Sequence, residues 1–137
     1  MLSIGELSRK TGVKSPTIRY YEQVGMIEAA ERSAGNQRRY TNTELERLTF
    51  IKHARDLGFS IESIRELLDL SAHPERPCEN ADHIANQNLI SVRNRIAKLQ
   101  KLEAELERIT KRCHTNTIEN CYVIEALSNH TLCKKSH

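Results

Sequence analysis

The sequence predicts a mainly α fold with a small β wing: a winged helix-turn-helix head followed by a long helix that dimerises as an antiparallel coiled coil. Three observations carry this. Two helix-start signatures lie close together at Ser3 and Ser15, and a turn cluster flanked by arginines follows them. From Asn80 to about Arg112 the chain then has no Gly or Pro and repeats apolar residues at helical spacing. With 4% aromatic residues, 28% charged residues and no Trp, the composition favours helices over a sandwich or barrel. A length of 137 residues suits one compact domain with an extended appendage better than two independent cores.

Ser3-Ile4-Gly5-Glu6 has the Ser-x-x-Glu form of a capping box, so a first helix starts there, with Ile4 and Leu7 as its apolar face and Gly12 as its C-cap. Ser15-Pro16 reads as an N-cap followed by proline at the first helical position, and the second helix runs to about Gly25. Two short helices across the Thr11-to-Lys14 turn form a helix-turn-helix, whose second member usually enters the major groove.

Helical periodicity is lost from Ile27 to Tyr40. Ser33-Ala34-Gly35-Asn36 is a turn cluster between Arg32 on one side and Arg38-Arg39 on the other, which reads as a β-hairpin wing. Thr41-Asn42-Thr43-Glu44 repeats the capping-box pattern. Leu45, Leu48 and Ile51 follow at helical spacing until Gly58, and Ser60 caps a fourth helix with Ile61, Ile64, Leu67 and Leu68 as its buried stripe. Pro74 and Pro77 bracket a linker. Beyond it, Leu89, Val92, Ile96, Leu99, Leu102, Leu106 and Ile109 recur with mostly three-then-four spacing, broken only by the three-residue step from Leu99 to Leu102. At 1.5 Å per residue this helix is roughly 50 Å long, too long to bury its stripe against so small a head. A second copy is therefore the expected partner. The expected divisions are a DNA-binding head at 1–72, a linker at 73–79, a dimerisation helix at 80–112 and a metal-binding loop, short helix and tail at 113–137.

A net charge of +3 would not alone announce nucleic-acid binding, but its distribution does. Arg9, Lys10, Lys14, Arg19, Arg32, Arg38 and Arg39 crowd into the first forty-one residues, opposed there only by Glu6, Glu22, Glu28 and Glu31. The expected DNA contacts are Lys14, Thr17, Arg19 and Tyr20 on the second helix, with Arg32, Asn36, Arg38, Arg39 and Tyr40 on the wing. The plainer reading of the second helix is that Ile18 and Tyr21 pack inward and Arg19 is a solvated charge. No apolar run approaches the roughly 18 residues of a membrane span, and no secretory leader is recognisable at the N-terminus, so a cytoplasmic protein with no membrane partner is expected. In that reducing compartment Cys78, Cys113, Cys121 and Cys133 read as metal ligands or redox thiols rather than structural disulfides.

Taken together, Ile4-Gly5-Glu6-Leu7, Thr17-Ile18-Arg19-Tyr20-Tyr21-Glu22, Gly35-Asn36 with Arg38-Arg39-Tyr40, Leu48-Thr49-Phe50-Ile51 and Gly58-Phe59-Ser60-Ile61 resemble the MerR family of transcription regulators. The resemblance implies a dimer that sits on an overlong promoter spacer. It also implies that metal binding distorts the DNA to bring the two RNA polymerase recognition elements into register, activating transcription without release from the operator.

The cysteines set the expected effector. Cys78 precedes the long helix, Cys113 lies at its far end and Cys121 follows after a seven-residue loop. Cys78 and Cys113 of one chain are too far apart to share an ion, but in an antiparallel pair Cys78 of one protomer comes beside Cys113 and Cys121 of the other. Three thiolates suit a soft divalent metal ion: cadmium, lead, zinc or mercury. The loop spacing is similar to that of the family's copper(I) sensors, which carry serine where this chain has Cys78; cysteine there points to the divalent-sensing branch. His114 is a candidate fourth ligand that would favour tetrahedral zinc, although family zinc sensors commonly have a further cysteine at that position. Cys133, with His130 and His137, is a further candidate ligand, the plainer reading being a spare thiol in a terminal tail. Tyr122, Val123, Ile124, Ala126 and Leu127 suggest a short helix over the metal loop.

Two other classes stand beside this reading. A redox regulator would close a reversible disulfide between Cys113 and Cys121. An enzyme is not expected, because adjacent residues such as Cys113-His114 rarely present their side chains to each other and no catalytic motif accompanies them.

Overall fold

The computed structural model describes residues 1–29, 31–32, 35, 38–112, 118 and 121–129. Its elements run β1 (Leu2–Ser3), α1 (Ile4–Thr11), α2 (Ser15–Gln23), β2 (Glu31–Arg32), β3 (Arg38–Tyr40), α3 (Asn42–Asp56), α4 (Ile61–Ser71), α5 (Glu79–Arg112) and α6 (Tyr122–Ser128). The chain divides into two compact units, Met1–Ile84 and Ala85–His137.

In the first unit, local chemistry sets most boundaries as expected. The Ser3 hydroxyl accepts from the Glu6 amide at 3.1 Å while the Glu6 carboxylate accepts from the Ser3 amide at 3.3 Å, which completes the capping box of α1. These hydrogen bonds hold the Glu6 carboxyl below its ordinary pKa, the bond from the Ser3 amide contributing most. Gly12 closes α1 at φ 76°, a left-handed conformation that a side chain would strain. Ser60 caps α4 by accepting from the Ser63 amide at 3.1 Å. Thr41 caps α3 in the same way, accepting from the Glu44 amide at 3.4 Å, whereas the Glu44 carboxylate accepts from the amide of Glu28 at 3.1 Å. That bond ties the start of α3 to the segment leading into the wing.

Two details differ from expectation. The N-cap of α2 is Lys14, not Ser15: its carbonyl accepts from Thr17 at 2.9 Å and Ile18 at 3.0 Å, and Ser15 is already helical. Pro16 still falls within the first turn, where a missing N–H costs no intrahelical bond. The wing is also part of a three-stranded antiparallel sheet, ordered β1-β3-β2, with Leu2 opposite Tyr40 and Arg32 opposite Arg38. The extra strand is the two residues before α1, so the capped start of α1 and the base of the wing share one ladder.

One apolar core serves this unit. Leu7, Ile18, Tyr40, Leu48, Ile51 and Ile64 are fully buried, joined by Met26 and Ile27 from the exit of α2. Each buried Leu or Ile contributes about 1.5–3 kcal/mol through removal from water. Arg47 donates from Nε to the carbonyl of Met26, and Arg65 donates from Nη2 to that of Val24, so α3 and α4 both grip the chain where it leaves α2.

The long helix α5 is continuous over 34 residues, starting one residue before the expected Asn80. Along its stripe Leu89, Ile96, Leu99 and Leu106 are exposed, Val92 and Leu102 half-buried, and Ile109 buried. The expected short helix is α6, in which Ala126 is buried while Ile124 and Leu127 are exposed.

Candidate nucleic-acid interface and thiol sites

On α2 the split between inward and outward residues is sharp. Ile18 and Tyr21 lie in the core, whereas Lys14, Arg19 and Tyr20 are exposed and Thr17 is half-buried. The inward packing expected of Ile18 and Tyr21 therefore does not deny the helix a basic outer face; it fixes which face that is. Tyr20 and Tyr21 rings lie 5.9 Å apart at 53°, so the exposed ring leans on the buried one.

The wing is fastened to this helix through Glu22. Arg38 Nε lies 2.6 Å from Glu22 Oε2, and the Tyr40 hydroxyl donates to the same oxygen at 3.4 Å. The Arg38 N–H does not point along the carboxylate, so this contact is a charge pair rather than a directed hydrogen bond. Both side chains are partly shielded from water, 33% and 20% exposed. Burial, then the neighbouring Glu22 charge, pushes the Tyr40 phenol up to about 12.

This arrangement corrects the expected contact list at Tyr40. Its side chain is 0% exposed, so it has no surface to offer DNA, and its place on the strand turns it into the core opposite Leu2. Arg38 and Arg39 are half-buried, and Arg38 is committed at Nε to Glu22. For Arg32 only the strand position is described, and Asn36 lies outside the described residues. Glu22, Arg47 and Arg65 tie α2 and its exit to the wing, α3 and α4, yet none was expected to. The only local hint was the position of Glu22 at the end of the Arg19-Tyr20-Tyr21-Glu22 run.

Of the expected metal ligands, Cys78 and Cys121 are described, while Cys113, His114 and Cys133 lie outside the described residues. Cys78 is exposed, immediately before α5, and its carbonyl accepts from the Asp82 amide at 2.9 Å. Its thiol donates to Asp82 Oδ1 at 3.7 Å. Beside it opens an apolar cavity of about 310 Å³ lined by Phe50, Leu67, Leu70, Pro74, Pro77 and Ala81 among others. Cys121 is half-buried at the N-cap of α6. Among the described residues no three His, Cys, Asp or Glu side chains lie together as a metal site.

Next to Cys121 in the chain, Tyr122 belongs to a largely buried polar cluster that the sequence did not suggest. Glu105 is 4% exposed and pairs with Arg108, Nη2 to Oε2 at 2.9 Å and Nε to Oε1 at 3.4 Å. Arg108 Nη1 then donates to the Tyr122 hydroxyl at 2.6 Å, and its guanidinium lies 5.8 Å from the centre of the Tyr122 ring. These partners, Glu105 foremost, hold the guanidinium above its already high ordinary pKa.

An outward basic helix locked to a small sheet, in a chain that also carries a long helix, defines a winged helix-turn-helix DNA-binding regulator. Residues 2–71 match the profile of the MerR HTH family regulatory protein, and residues 45–109 that of MerR, DNA binding. The chain belongs to the MerR family of transcription regulators and is not an enzyme. It is 43% identical over 132 residues to the HTH-type transcriptional regulator ZntR of Escherichia coli (strain K12), covering 93% of this chain and 92% of that one. Among solved structures it is similar to the transcription regulator PbrR691 from Ralstonia metallidurans CH34 in complex with lead(II), at 33% identity and a TM-score of 0.76 over 93% of this chain and 99% of that one. It is also similar to the dual-function regulator MerR from Bacillus megaterium MB1 in complex with mercury(II), at 31% identity and a TM-score of 0.66 over 93% and 100%. Among the described residues no helix is long and apolar enough to cross a membrane.

Proposed function

We propose that this protein is a metal-responsive regulator that binds promoter DNA as an antiparallel homodimer. In this reading it activates transcription by distorting the DNA when a soft divalent ion binds Cys78 of one protomer together with Cys113 and Cys121 of the other. The observation that carries it is the uncovered apolar stripe of α5, Leu89, Ile96, Leu99 and Leu106, with one thiol immediately before the helix and another shortly after its end. A stripe of this kind is covered by a second copy, and antiparallel pairing brings the start of each helix beside the end of its partner.

The donor set fits the ion. Cys78 is exposed and Cys121 half-buried, both carrying soft sulfur, which suits cadmium, lead, mercury or zinc and not magnesium or calcium. The lead- and mercury-bound relatives support the same class of effector. A bound ion would draw sulfurs of both protomers into one coordination shell and so fix the relative placement of the two chains. The residues of this chain do the rest. Lys14, Thr17, Arg19 and Tyr20 address the groove and its phosphates, Arg32, Asn36, Arg38 and Arg39 grip the adjoining backbone, and Glu22 and Tyr40 keep the wing at its angle. RNA polymerase at the same promoter is the partner that reads the altered spacing. The assignment divides the chain as head 1–72, linker 73–79, dimerisation helix 80–112 and sensing segment 113–137.

The test is metal titration of the reduced full-length protein, with transcription from its own operator as readout. Activation by at least one of cadmium, lead, mercury or zinc, abolished by Cys78→Ser without loss of operator binding, is the expected result. Transcription that ignores all four metals and answers an oxidant instead would replace this reading with a thiol-redox one.

A further inference from the structure

We infer that Glu105, Arg108 and Tyr122 are positioning residues for the Cys121 thiol, setting how tightly the protein holds its metal without ligating it. The inference rests on the reading of Cys121 as a ligand.

α6 is far too short to be stable by its own hydrogen bonds, so its orientation must come from what it is fastened to. Among the described side chains of α6 and of the C-terminal half of α5, the buried ones are Glu105, Ile109 and Ala126. A carboxylate 4% exposed is costly unless its charge is matched, and Arg108 matches it with two of its nitrogens at 2.9 and 3.4 Å. The third nitrogen of the same planar fork reaches Tyr122 at 2.6 Å. Glu105 thus sets the plane of the guanidinium on the rigid helix α5, and the guanidinium sets the position of the first residue of α6.

Cys121 is one peptide away. Its amide donates to the Ile118 carbonyl at 3.2 Å, and its own carbonyl accepts from Glu125 at 3.1 Å, so its backbone turns with α6. Where Tyr122 is held, the Cys121 backbone is held, and with it the Cβ that carries the sulfur. A metal site assembled from two chains must be in register to a fraction of an ångström, and support of this kind is what outer contacts supply to ligands.

The experiment is chelator-competition titration of the reduced full-length protein with cadmium alone, on wild type, Tyr122→Phe, Arg108→Lys and Cys121→Ser. Melting temperature and metal-free operator affinity are measured beside it. Tyr122→Phe keeps the ring over the guanidinium and removes the hydroxyl; Arg108→Lys keeps the charge and loses the fork. Both are expected to weaken cadmium binding by about tenfold or more and to alter the thiolate-to-metal absorption band, with melting and metal-free operator affinity held near wild type. Wild-type cadmium affinity and absorption in both variants, while Cys121→Ser loses binding, overturns the positioning role and leaves the ligand assignment standing. Loss of cadmium affinity only in step with melting temperature and operator affinity also overturns it, as a structural effect. Wild-type binding by Cys121→Ser removes the ligand assignment, and this inference with it.

Discussion

Glu22, at the end of the recognition helix, holds Arg38 of the wing 2.6 Å from its Oε2 oxygen and takes the Tyr40 hydroxyl on the same atom. An acidic residue within a basic head looks unfavourable for the proposed DNA binding when charge alone is counted. Its partners explain it: one carboxylate ties α2 to the two wing residues Arg38 and Tyr40, the two elements proposed to reach the duplex together.

The first prediction follows from that geometry. Glu22→Gln removes a negative charge, which on electrostatic grounds alone should tighten binding to any duplex. The pair is partly exposed and contributes on the order of 1 kcal/mol or less to folding, so the variant should stay folded. Specific operator affinity should nevertheless fall several-fold while affinity for random duplex is unchanged or higher. Parallel gel-shift titrations on both DNAs check this, and a specific affinity that rises with the non-specific one would show that Glu22 is merely a charge.

Tyr40 gives a pH prediction whose sign is fixed by its surroundings. Burial and the adjacent Glu22 charge raise its phenol from 10.0 to about 12 in the folded protein, so between those values the native state keeps a proton that the unfolded chain releases. The contribution is fully present below pH 10 and is lost as pH rises through about 12. Denaturant titrations at a series of alkaline pH values should show stability falling across that window, and less steeply in Tyr40→Phe. Equal slopes in the two proteins would show that the phenol does not carry the loss.

These two cases also show where the sequence was readable. The capping box and glycine that bound α1, and the serine that opens α4, are signals one to four residues long, and Ser3, Gly12 and Ser60 act as their types require. β1 was not legible because two residues become a strand only through Tyr40, thirty-eight positions away from Leu2. Tyr40 itself, beside two arginines, reads as surface until pairing turns its side chain inward. The Glu105, Arg108 and Tyr122 cluster was missed for a related reason. On a helix with a coiled-coil stripe, Glu and Arg three residues apart read as a solvated pair, and the bond from Arg108 to Tyr122 of α6 is made only in the fold. For the cysteines, residue type alone gives only the soft-donor chemistry expected of them.

Arg19 separates groove contact from mere basicity. It is exposed on the outer face of α2, next to exposed Tyr20, with Ile18 and Tyr21 anchored behind. Arg19→Ala should cost about 1–3 kcal/mol of operator binding if it reads a base edge, with relaxed preference at one operator position. If it contacts phosphate, the loss should be uniform across sequences and the salt dependence should drop by about one counterion. Either outcome keeps Arg19 in the interface. Unchanged affinity and unchanged salt slope would remove it, and would favour a metal-binding protein whose basic head has another purpose.

The final prediction concerns the stripe on α5. Leu99 and Leu106 are 63% and 61% exposed in the single chain, seven residues apart and so on one face. Replacing both with Glu costs the isolated chain little, because neither side chain is buried in it, but places like charges where two copies of the helix should meet. Sedimentation should show wild type as a dimer and Leu99→Glu/Leu106→Glu as a folded monomer with unchanged helix content. The monomer should fail on a two-fold symmetric operator while keeping weak affinity for any duplex, since its head is intact. It should also lose high-affinity cadmium binding although every cysteine is present, because the proposed ligands come from two chains. A monomer that binds cadmium as tightly as wild type would place the metal site within one protomer, and a variant that remains a dimer would move the interface elsewhere.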